Sequence, residues 1–141
     1  MLIHFHKPEE WLHLNQQVES HFHLNAHSSK AKVYQGLHHA LVEIVFGLAR
    51  QFPFKKYVFY QKGHDPFVDQ AAGSLMRCGV KVQAYSKEEL QDFENFKERF
   101  NKETLLVLHT EDDPLLGLLF NSKKLENYLF ESKIFSLKVS H

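Results

Sequence analysis

Apolar positions along this chain alternate between helical and strand spacing, and that alternation predicts most of its elements. Trp11, Leu14, Val18 and Phe22 recur three and four apart, which predicts one amphipathic helix running to about Leu24. Pro8, Glu9 and Glu10 open it, after a short apolar start over Met1 to Phe5. Asn25 to Ser29 reads as a loop. Val33, Leu37, Ala40, Ile44 and Leu48 then form a second stripe, capped by Ser28 or Ser29 and running without interruption to about Gln51, where Pro53 ends it. The competing arrangement makes Ala31 to Gln35 a short strand and Gly36 a turn, with the helix starting only afterwards. Periodicity favours the continuous helix.

From Lys56 onwards the pattern becomes regular. Lys56 to Tyr60 is rich in strand-forming residues and closes on Gly63-His64-Asp65-Pro66. Asp65 then caps a helix with Pro66 in its first turn, a packed face of Val68, Ala71, Ala72, Leu75 and Met76, and a stop at Gly79. Val80 to Tyr85 alternates as a strand. Ser86-Lys87-Glu88-Glu89 has the spacing of a capping box, and Leu90, Phe93, Phe96 and Phe100 mark a helix to about Asn101. Leu105 to Thr110 is an apolar run too short for a typical helix; it ends abruptly in Glu111-Asp112-Asp113-Pro114-Leu115-Leu116-Gly117, as a buried parallel strand delivering a polar loop would. Ser122 starts a last helix, with Leu125, Leu129 and Tyr128 inward, and Ile134 to Ser140 is a last strand. Strands separated by helices predict an α/β fold, three layers α/β/α with a mainly parallel sheet.

Composition narrows the functional classes. At 141 residues, one α/β domain is expected over 1–141, with an N-terminal strand and helix over 1–30 and an alternating core over 31–141. Seventeen basic residues balance seventeen acidic ones, so no net charge draws the chain to nucleic acid or to a membrane surface. No apolar stretch approaches the roughly 20 residues that span a bilayer. Cys78 is the single cysteine, which excludes an internal disulfide and, with no charged-then-apolar leader, points to the cytoplasm.

The order of parts from Gly36 to His141 resembles the large domain of the fold-type I pyridoxal-phosphate enzymes, the aminotransferase superfamily. In that family a strand leads to a loop whose aromatic ring stacks on the cofactor; a helix with a small-residue face, a strand after a glycine, and a strand ending in an Asn-Pro-x-x-Gly loop follow. The corresponding stretches are Tyr57 to Tyr60 with Gly63-His64-Asp65-Pro66, Ala71-Ala72-Gly73, Gly79-Val80-Lys81-Val82, and His109 to Gly117. The resemblance implies cofactor contacts at His64, as the stacking ring, and at Asp113, where the family carries asparagine. It also implies departures from the family's chemistry. An acid at 113 repels the cofactor's ring oxygen, and Lys138 stands where an aspartate should pair with the pyridine nitrogen, so the cofactor would lose its character as an electron sink. The family's Schiff-base lysine would lie beyond residue 141.

Other constellations have simpler readings. His4-Phe5-His6 and His21-Phe22-His23 place imidazoles two apart, but no cysteine pair or His-Glu-x-x-His completes a zinc site. Glu111-Asp112-Asp113 offers hard oxygen ligands, yet a solvated turn shaped by Pro114 explains it; no metal is expected. Cys78, among apolar helix residues, is expected to be a buried structural thiol. Asp65 is better used as a cap than as partner to His64. No nucleotide-binding glycine motif is present.

These features predict a diverged or truncated aminotransferase-like domain, without transaminase activity, that binds a ligand or protein partner at a sheet edge lined by His64, His109, Asp112, Asp113 and Gly117. Pyridoxal phosphate enters only through the resemblance. The alternatives are a small enzyme using the acidic loop 109–117 with a metal or a histidine, and a structural subunit that forms a homo-oligomer through the last strand.

Overall fold

The computed structural model describes residues 16, 17, 20, 34, 36–63, 65–110 and 122–139. The chain divides into two compact units, residues 1–35 and 36–141. In the first unit Gln16, Gln17 and Ser20 are helical, within the helix expected there; the rest of that helix and the histidine pairs lie outside the described residues.

The second unit runs α1 (Leu37–Gln51), β1 (Tyr57–Gln61), α2 (Pro66–Arg77), β2 (Lys81–Tyr85), α3 (Lys87–Gln91), α4 (Phe93–Lys97), β3 (Thr104–Thr110), α5 (Ser122–Glu131) and β4 (Phe135–Val139). Its four strands are parallel and ordered β2-β1-β3-β4. Helices cover both faces. Val58 and Tyr60 of β1 and Leu106 and Leu108 of β3 pack with Leu41 and Val45 of α1 and with Val68, Ala71, Ala72 and Leu75 of α2. Phe59 and Val107 point the other way, onto Phe93 and Phe96 of α4, Phe100, and Leu125 and Leu129 of α5. Two buried faces explain why these strands read as near-continuous apolar runs. The α/β class and the parallel sheet expected from the sequence are therefore present.

Three local expectations are corrected. The helix before β1 does not run continuously from Ser28 or Ser29, because Tyr34 is not helical and Gly36 adopts φ 124°, ψ 158°, a conformation that ends helical geometry and that side chains disfavour. The helix predicted from Ser86 to Asn101 is two short ones. Its capping box forms as expected, Ser86 Oγ accepting from Glu89 N and Glu89 Oε2 from Ser86 N. Asp92 then leaves helical dihedrals at φ −95°, ψ 66°, and its carboxylate accepts from Asn95 Nδ2. The break still lets Phe93, Phe96 and Phe100 all enter the core.

The third correction concerns the end of α2. Cys78 is exposed rather than buried, and so is Met76. The stripe Val68, Ala71, Ala72, Leu75 would continue to position 78 in an unbroken helix. The helix ends at Arg77, and Gly79 at φ 86° turns the chain towards β2, taking the thiol off that face.

Candidate functional site

The strand order brings two strand ends together. β1 continues through α2, on one face, to β2; β3 continues through α5, on the other face, to β4. β1 and β3 are neighbours, so their carboxyl ends lie side by side while the chain leaves them in opposite directions. Parallel α/β sheets open a ligand crevice at such a point. Both stretches singled out in the sequence, Gly63 to Pro66 and Glu111 to Gly117, follow these two strand ends.

The loop after β1 is tightly fixed. Gly63 adopts φ 77°, and its N–H donates to both carboxylate oxygens of Asp69, at 3.1 and 3.2 Å. Asp65 caps α2 by accepting from Phe67 N at 2.8 Å and Val68 N at 3.4 Å. Position 64 is therefore flanked by two anchored residues, although His64 itself lies outside the described residues, as do Asp112, Asp113 and Gly117. Asp65 acts as the expected cap. With its carboxylate almost wholly buried, Asp65→Ala should lower stability by about 1–2 kcal/mol and Asp65→Asn by much less, read as the shift in the urea midpoint at constant slope.

Tyr85 at the end of β2 reaches past β1 and donates its hydroxyl to Leu108 O of β3 at 2.6 Å. Burial holds its phenol far above the ordinary range, so it stays a neutral donor. Tyr60 is also raised, by burial first and then by the Asp69 carboxylate.

His109 lies in β3, within the strand expected there. It is buried on the α5 side of the sheet, with Nε2 2.8 Å from Ser136 Oγ and 3.9 Å from Glu126 Oε1. Burial lowers its pKa below the ordinary histidine value; Glu126 opposes that shift and Lys138 adds to it. Lys138 lies opposite His109 in the β3–β4 register, with Nζ 3.4 Å from the same Glu126 oxygen.

A comparison with protein-family models finds no match for the chain, and a comparison with curated proteins finds none either.

Where the resemblance requires a carboxylate for a pyridinium, the side chain is the ammonium of Lys138, held by Glu126. Among the described residues no three His, Cys, Asp or Glu side chains assemble as metal ligands, and no helix is long and apolar enough to cross a membrane.

Sequence reasoning missed Asp69, Tyr85, Glu126 and Ser136. Asp69 had a readable signal, a second acid in the first turn of α2. The other three act through strand order and register, which no local pattern encodes.

Proposed function

We propose that this chain is a diverged aminotransferase-like domain that binds a small ligand at the carboxyl edge of its sheet and carries no transaminase chemistry. The observation behind this reading is the strand order, which makes β1 and β3 adjacent at a topological switch point. The anchored turn at Gly63 and Asp65 supports it, because a fixed loop loses little entropy on binding. The ammonium at 138 argues against the family's reaction.

Pyridoxal phosphate added to the pure protein tests the chemical half of this proposal. The expected result is no visible absorbance band that borohydride fixes, at one equivalent, to a single lysine. Such a band would overturn the reading.

A further inference from the structure

His109 joins three elements. From β3 it meets Ser136 of β4 at 2.8 Å and Glu126 of α5 at 3.9 Å, while its side chain is 1% exposed. Its other nitrogen, Nδ1, is buried with no hydrogen-bond partner among the described residues. In the neutral ring the Glu126 carboxylate favours the proton on Nε2, which then donates to Ser136 Oγ and leaves Nδ1 a bare acceptor. A second proton must go to Nδ1. It would create a cation whose N–H meets no acceptor among the described residues, a state that folded proteins avoid.

The charged groups facing the ring are Glu126 from α5 and Lys138 from β4; β1, the other neighbouring strand, has no carboxylate or ammonium between Tyr57 and Gln61. Glu126 is itself partly exposed and shared with Lys138, so it compensates only part of the cost of a buried cation.

We propose that His109 is an acid-sensitive latch: neutral, it ties β3 to β4 and α5; protonated, it leaves its site and frees α5 from the sheet while β1, β2 and α2 stay folded. The sense of the pH dependence follows from linkage. The closed form holds the ring neutral, and its histidine pKa lies below the value of about 6.5 that an exposed ring has. The latch is at full strength above that value and weakens as pH falls from it through the closed-form pKa. Each unit between the two values changes the opening equilibrium by about tenfold.

Backbone hydrogen exchange at pH 7.5 and pH 5, corrected for intrinsic rates, tests the proposal without any ligand. Amides of α5 should open several-fold more at pH 5 than at pH 7.5, with β1 and β2 unchanged. His109→Gln keeps an N–H donor but cannot take up a proton, and should abolish the acid response. Should that variant fail to fold, the proton NMR titration of His109 in the unmodified protein decides: a midpoint clearly below 6.5 supports the latch. A midpoint at or above 6.5, or an acid response retained in His109→Gln, overturns it.

Discussion

Phe59→Ala is expected to lower the stability of the 36–141 unit by about 3–5 kcal/mol, much of what a unit of this size possesses. Phe59 is 1% exposed on β1, an interior strand of the described sheet. Its ring meets Phe100 edge-on at 5.0 Å, and the Arg99 guanidinium lies 5.3 Å from its centroid. Phe100 in turn contacts Phe96, and Phe96 contacts Tyr85, so the cavity would open at the centre of a ring cluster rather than at its rim. Neighbours in the two short helices would have to move together to close it, and the cost belongs near the upper end of the range. Phe59→Leu refills most of the volume and should lose far less. Urea unfolding followed by far-UV circular dichroism would show the difference as a shift in midpoint.

The second large effect is expected at Leu129→Ala, with a loss of about 2–5 kcal/mol that falls first on α5. A helix as short as Ser122–Glu131 is marginal alone, and Leu125 and Leu129 are its fully buried side chains, with Tyr128 partly inward beside Phe93. Phe130, the next residue, faces solvent and adds nothing to this packing. Hydrogen exchange should show α5 amides opening at neutral pH while β1 and β3 remain protected; equal losses throughout would mean that α5 and the sheet unfold as one unit. Acid and the Leu129 substitution would then release the same helix by independent routes, one through charge and the other through volume.

These effects show which parts of the fold were legible in the sequence. Asp65-Pro66 and the stripe behind it locate α2 because cap, proline and periodicity agree, and the capping box at Ser86 is legible for the same reason. Periodicity misleads at Gly36: the apolar period continues across it, whereas the glycine itself signalled the competing arrangement in which the helix starts afterwards. At Asp92 the spacing of three and four is compatible with one helix or two, and only the backbone dihedrals of Asp92 distinguish them. β3 holds a further irregularity, since Tyr57 pairs with Thr104 but Val58 with Leu106, so Leu105 is an extra residue and joins Leu106 in the same cluster.

The site was less legible than the fold. The two loops were identifiable because strands that end in Gly, Asp and Pro advertise a carboxyl edge. The adjacency of the two strand ends was not, because it depends on β3 inserting beside β1 rather than beside β2. His109 illustrates the same limit. Its place near the end of a predicted strand does not reveal that the pleat turns its ring inward to Ser136, a residue 27 positions later.

We propose that ligands bind where β1 and β3 end. Amide chemical-shift mapping of the isotopically labelled protein against a library of small polar and aromatic fragments tests it most directly. The claim predicts that perturbations from the binding fragments gather on residues 61–65 and 108–110, with β2's amino end and α1's carboxyl end unaffected. Fragments that gather elsewhere on the sheet, or a library that leaves this edge unperturbed, would contradict it.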